Sequence, residues 1–222
     1  MIDVTLATLP FLLSGLWVTI QISLITILFA SALGFLVGLF RAVGAHSLKA
    51  ILGLYVHLLR GTPFLVQLYI VYFVLPTTGI AWLQLESFTA AVIALSLYTS
   101  TYVAEIVRAA IQAVPRGQTE AARSVGMTAL QSLQHVVLPQ AVKLMIPPMG
   151  GVYVILIKGT SIVSVIGISE LVRAGEHAAQ RHPHELMVIY GLVALMYFIY
   201  CYPVLRIARW AETKLGRTDV AL

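Results

Sequence analysis

Residues 4–40 carry no formal charge. An α-helix needs roughly 20 consecutive apolar residues to cross about 30 Å of hydrocarbon, so this single run is long enough to commit the chain to a bilayer. It does not read as a removable secretion signal. No basic segment precedes it, its apolar length overruns a signal core and no small-residue cleavage site follows, so it is expected to be retained. Composition extends the conclusion to the whole chain, with 59% of residues hydrophobic and 10% charged, against about 25% charged in ordinary soluble domains. The only cysteine, Cys201, rules out a disulfide within the chain and leaves no thiolate set for a metal.

The fold expected is all-α and membrane-embedded, with about five transmembrane helices. Pro10 and the Ser14-Gly15 pair punctuate the first run, which places span one over residues 17–40 and leaves residues 1–14 as an interfacial lead-in. Gly34 and Gly38 offer a small face to another helix, although chance also produces that spacing in apolar helices. The second span, 52–75, contains Arg60-Gly61-Thr62-Pro63, and its proline is expected to kink the helix. Spans three to five cover residues 88–111, 142–166 and 186–205. A mixed-charge loop lies between the last two, and a basic tail covers 213–222.

Lysine and arginine near span ends set orientation, because cytoplasmic loops carry them in excess. Arg41, Lys49, Arg108, Arg116, Arg123, Lys143, Arg206, Arg209, Lys214 and Arg217 fall on one side, so that side takes ten of the chain's 14 basic residues. Arg173 and Arg181 fall on the other, and Arg60 and Lys158 lie inside spans. The N-terminus is therefore expected outside, with the C-terminus and the polar central loop, 112–139, in the cytoplasm.

That loop reads as two short helices. Pro115 permits a start, residues 118–125 are good helix formers and Gly126 can adopt the left-handed conformation that ends a helix. Thr128 and Gln131 have capping-box spacing, so a second helix is expected to begin there and run to about Val137, where Pro139 would stop it. Ala121, Ala122 and Val125 form a small apolar surface beside Glu120 and Arg123, one that another protein could approach closely. A hairpin lying on the lipid interface is the alternative from local features alone.

Glu120-Ala121-Ala122, Gly126 and Leu138-Pro139 resemble the EAA loop of ABC-transporter permeases. Arg60-Gly61-Thr62-Pro63 with Val66-Gln67-Leu68, the segment Ala104-Glu105-Ile106-Val107-Arg108-Ala109-Ala110-Ile111 and Leu138-Pro139-Gln140-Ala141 are similar, more narrowly, to the polar amino acid uptake branch, the histidine/glutamine/cystine-like permeases. The resemblance spans residues 15–212, read as one type-1 transmembrane domain. It implies that Glu120, Ala121, Ala122, Gly126, Leu138 and Pro139 dock a separate ATP-binding subunit. It also implies a second permease, the same or similar, an external solute-binding protein that delivers a polar amino acid, and a place in a bacterial inner membrane. One motif departs: relatives often have Asp or Asn after the lysine where this chain has Lys158-Gly159-Thr160-Ser161, so any role of that side chain does not carry over.

No GxxxxGK[ST] phosphate loop occurs in the chain, so ATP chemistry must come from a partner subunit. The chain is expected to be a transport part and not an enzyme, with no cofactor. Arg60 and Lys158 are substrate-path candidates because a charge inside a span is expensive and usually faces protein or water. Thr160, Ser161, Ser164 and Tyr98 could line the same path; equally, hydroxyls bond to their own helix backbone at little cost. Lys158 could instead snorkel to the interface or pair with Glu170. Glu105 with Arg108, three apart, reads as a structural ion pair near the cytoplasmic gate. His177, His182 and His184 with Glu176 and Glu185 lack a metal-ligand pattern, and the basic tail lacks the aromatic interleaving of a nucleic-acid patch. The rival function, a self-sufficient ion-coupled carrier or channel, calls for an inverted repeat and mid-span carboxylates, and Glu105 is the only acid inside an expected span.

Overall fold

The computed structural model describes residues 2–215, with side chains over 5–214. Expectations for residues 216–222, most of the basic tail, lie outside the described residues. The described residues form helices and short connections, with no strand among them: α1 (Ile2–Val43), α2 (His46–Arg60), α3 (Phe64–Tyr69), α4 (Ser87–Ala113), α5 (Arg116–Ser124), α6 (Ala129–Ser132), α7 (Leu138–Gly159), α8 (Leu171–Arg181) and α9 (Leu186–Leu215). Four stretches are long and apolar enough to cross a membrane, and the α2–α3 pair makes up to five if its two halves form one broken span.

α4 is the centre. In its most apolar window 67% of the residues are buried, against 22% for α9. α1 packs along it where glycine permits: a Cβ on Gly34 would lie 2.5 Å from the Val103 Cβ, and one on Gly38 2.4 Å from the Ala104 carbonyl oxygen. The Gly34/Gly38 pair is thus a true helix contact. Ile22, Ala91, Leu95, Phe64, Leu68 and Val163 form one core cluster, and Val103, Val107, Ala110, Ala141 and Met145 a second that brings α7 onto α4. Hydroxyl pairs tie helices together at Ser23–Tyr200 (2.7 Å), Ser31–Tyr153 (2.8 Å) and Tyr55–Ser100 (2.7 Å). Leu28, Ile155 and Ile207 remain uncovered, as outward faces in hydrocarbon should.

Several boundaries differ from those read in the sequence. α1 runs straight through Pro10 and Ser14-Gly15, so residues 2–14 are helical and continuous with the first span. Pro10 removes one hydrogen bond near the start of a very long helix, Ser14 Oγ donates to the Phe11 carbonyl, and Gly15 is where Ala174 of α8 approaches. The second span is broken and not merely kinked: after Arg60 the chain turns by 102° through Gly61-Thr62-Pro63. It continues as α3, a π-helical turn (Ile70–Val74) and a 3-10 turn (Leu75–Thr78).

Pro139 does not stop the second loop helix. It falls in the first turn of α7, directly after a π-helical turn (Leu133–Val137) where the i→i−4 ladder is already interrupted. Gln140 Nε2 donates to the Val136 carbonyl at 2.8 Å. Helix therefore runs on from Ala129 to Ile166 as one stretch. The mixed loop after it contains α8, whose Leu171, Ala174, Gly175, Ala178 and Ala179 are buried against α1 and α9. Finally, α9 extends past residue 205 and carries Arg206, Arg209 and Lys214 on helix.

Candidate coupling hairpin and membrane path

The hairpin between α4 and α7 is built from local rules. α5 ends in a Schellman arrangement: Gly126 N–H donates to the Arg123 carbonyl and Met127 N–H to the Ala122 carbonyl, both at 3.1 Å. This geometry needs a left-handed residue, and Gly126 has φ of +89°. Two residues on, the Thr128 N–H donates to Gln131 Oε1 at 2.8 Å while Gln131 N–H donates to Thr128 Oγ1 at 3.3 Å, the complete capping box. Gln140 Nε2 also donates to Gln118 Oε1 at 3.3 Å, tying α5 to the base of α7.

Glu120, Ala121, Gly126 and Pro139 are exposed, and Leu138 is half-buried. Ala122 is not available to a visitor: it is 5% exposed and faces its own chain, because α5 must turn one side inward to pack. Val125, 74% exposed, keeps its place in that surface with Ala121. Behind the hairpin lies a cavity of about 930 Å³, lined by Val43 and Ile111 from the helix ends and by Arg116, Arg123, Leu130 and Ser132.

Two separate groups emerge from the membrane-path candidates. Arg60, at the end of α2, stacks its guanidinium 4.7 Å from the Tyr102 ring centre, and Tyr102 shares a 2.8 Å hydrogen bond with Tyr98. Tyr102 belongs to the hydroxyl-rich stretch Tyr98–Tyr102 of span three, and its position four residues beyond Tyr98 puts the two on the same helix face. Lys158 is exposed and lines a different, mostly apolar cavity of about 480 Å³ with Ser161, Val172, Tyr197 and Cys201, to which α4 contributes nothing. Thr160, Ser161 and Ser164 donate to the carbonyls of Ile157, Lys158 and Ser161 respectively. Their hydroxyls thus satisfy their own helix, and Thr160 is fully buried.

Glu170 does not pair with Lys158. It is fully buried at the N-terminus of α8, where its carboxylate accepts from the Val172 and Arg173 N–H groups and from the Tyr197 hydroxyl at 3.1 Å. Thr19 Oγ1 accepts from Leu171 N–H beside it. Burial pushes the Glu170 carboxyl up from its ordinary value, against the opposing pull of those hydrogen bonds. Nothing in the sequence marks it, since glutamate is uncommon as a helix cap. Glu105 pairs with both Arg108 and Arg41, the latter at 2.7 Å, so Arg41 belongs to the end of α1 and not to a free loop.

Residues 30–217 match the model of the binding-protein-dependent transport system inner membrane component family. The chain belongs to that family. The permease is 36% identical to the L-cystine transport system permease protein TcyB of Bacillus subtilis over 94% of its length and 88% of the relative's. It is 32% identical to the glutamine transport system permease protein GlnP of Escherichia coli K12, covering 86% of each. Among solved structures, the membrane chain of an amino acid ABC transporter crystallised with histidines superposes with a TM-score of 0.85 at 33% identity, over 95% of the permease and 96% of that chain. A chain of the MetNI methionine ABC transporter in an inward-facing form shares the fold, with a TM-score of 0.73 at 21% identity over 91% and 97% of the two chains. The permease is a membrane subunit of an ATP-driven importer whose ATPase is a separate subunit, which sets aside the self-sufficient carrier.

Proposed function

We propose that this permease carries polar amino acids inward across a bacterial inner membrane, receiving them from an external solute-binding protein. It works as a dimer, with itself or a similar subunit, and each copy docks one ATP-binding subunit. The observation that carries the reading is the hairpin: Glu120 and Ala121 lie exposed on α5 with Val125 just past its end, Gly126 makes the turn towards α6, and helix runs on from α6 through the π-helical turn into a membrane span. A displacement of such a surface moves the span with it. The names of the relatives, for cystine, glutamine and amino acids in general, support the substrate class.

In this reading the hairpin is cytoplasmic, the N-terminus is outside and the C-terminus is inside, as the bias of basic residues supports. Lys158, Thr160, Ser161, Ser164, Tyr98 and Arg60 remain the path candidates. Arg60 and Lys158 are favoured among them, because the three hydroxyls near Lys158 are already engaged with backbone. The test is co-purification and reconstitution with the cognate ATPase: Glu120→Lys should abolish assembly and transport while the permease still inserts. Undiminished assembly with Glu120→Lys would remove the hairpin from the docking surface.

A further inference from the structure

Where α2 breaks from α3, a cavity of about 460 Å³ opens between the hinge and α4, lined by Arg41, Val56, His57, Arg60, Gly61, Glu105 and Arg108. Three of these residues are arginines and one is a carboxylate. Glu105 is already shared between Arg41 and Arg108. Arg60 has no ion-pair partner among the described residues, and its guanidinium lies over the face of Tyr102. We propose that this cavity is an oxyanion site, built to take the carboxylate of the transported solute on the hinge arginine, Arg60. The assignment of the source rests on the transport reading above.

Chemistry favours an anion there. A guanidinium held over an aromatic face spends none of its five N–H donors on that contact, which leaves them for a bidentate carboxylate or phosphate. Tyr98 fixes the Tyr102 ring through their hydroxyl pair and packs in turn on Phe64, just past the break, with ring centres 5.3 Å apart. The platform is therefore held from both sides of the hinge. The C-terminus of α2 opposes an anion with roughly half an elementary charge, which is outweighed by the excess of arginines. An uncompensated arginine within a membrane chain is costly and faces a cavity where an anion can reach it, and a broken helix is the kind of element that opens one. Glu105, in this arrangement, is the resident carboxylate with which an incoming one competes for Arg41 and Arg108.

A phospholipid phosphate offers the same chemistry, so the experiment separates the two sources. The intact permease–ATPase complex is placed in nanodiscs of phosphatidylcholine alone or with phosphatidylglycerol, and the rate of phenylglyoxal modification at Arg60 is read by peptide mass spectrometry. Histidine and glutamine serve as probes, each beside its amino alcohol, histidinol or glutaminol, which lacks the carboxylate. At least one acid should slow modification of Arg60 about threefold or more in phosphatidylcholine, and its alcohol should not. Glu105→Gln, which removes the competitor, should lower the concentration of acid needed, a gain that a merely structural role would not produce. Protection that requires phosphatidylglycerol and ignores the amino acids overturns the solute as the source. A complex that transports these amino acids while Arg60 reacts equally fast with and without them overturns the site but leaves the transport reading standing. Absence of all amino acid transport strikes the transport reading instead.

Discussion

Gly38 of α1 lies so close to Ala104 of α4 that a methyl group on it would sit 2.4 Å from the Ala104 carbonyl oxygen and 2.6 Å from the Val107 Cβ. One turn earlier, Gly34 meets Val103 in the same way. Backbone approach of this kind is what holds helices together in lipid, where burial of apolar surface no longer distinguishes a neighbouring helix from an acyl chain. It also sets the alignment in which Arg41 reaches Glu105.

Gly38→Val should therefore separate α1 from α4 and cost roughly 1–3 kcal/mol or more, since neither the Ala104 backbone nor the Val107 Cβ can yield cheaply. Gly53→Ala is the matched control: its Cβ would meet nothing within 4 Å, and removing a glycine from a helix interior should be neutral or stabilise by about 0.5–1 kcal/mol. Thermal unfolding in detergent reads both. Equal melting temperatures for Gly38→Val and wild type would contradict the contact.

Gly126→Val places a β-branched residue at a φ of +89°, at a cost of about 1–2 kcal/mol for the left-handed backbone. The Schellman turn should open and the angle between α5 and α6 change. Expected are normal insertion and a clear fall in both transport and substrate-stimulated ATP hydrolysis in reconstituted vesicles. Wild-type coupling in this variant would show that the turn does not transmit motion.

Glu170 gives a pH signature of definite sign. Its carboxyl titrates above the ordinary value of about 4.3 because it is buried, so in that window the folded state binds the proton that the unfolded state has released. Stability should fall as pH rises from the ordinary value through the raised one. Glu170→Gln removes the titration and should flatten this part of the curve of melting temperature against pH, relative to wild type. Parallel curves for the two proteins would mean that the carboxyl is not held as described.

Orientation is testable with single cysteines in a Cys201→Ser background. Thr78 and Gln118 are both exposed and lie at opposite ends of the molecule's spans. A cysteine at Thr78 should react with a membrane-impermeant thiol reagent added to intact cells, and one at Gln118 should react only after permeabilisation. The opposite pattern would invert the topology.

What the sequence made legible was what neighbouring residues decide. Gly126 and the Thr128/Gln131 box act within a few residues, and the hairpin follows from them. Proline was harder, because its effect depends on what surrounds it: Pro10 is carried within α1, Pro139 follows a π-helical turn, and Pro63 completes a turn of 102°. The mixed stretch that became α8 had the helical signal in Leu171, Ala174, Gly175 and Ala178, hidden by the charges between them. Long-range partners could not be read at all. Arg41 and Glu105 are 64 residues apart, and only the packing of α1 on α4 makes them neighbours.

The continuous run of helical turns from Ala129 to Ile166 restricts how such a chain can vary. Each residue advances an α-helix by about 100°, so one residue inserted between the hairpin and Lys158 would rotate the hairpin by more than a quarter turn relative to the rest of the span. The two ends are joined by 38 residues of continuous helical winding. The wider turn at Leu133–Val137 is the one place where the winding is already relaxed, and so the place where an added or lost residue could be absorbed without turning the bearing surface away from its load.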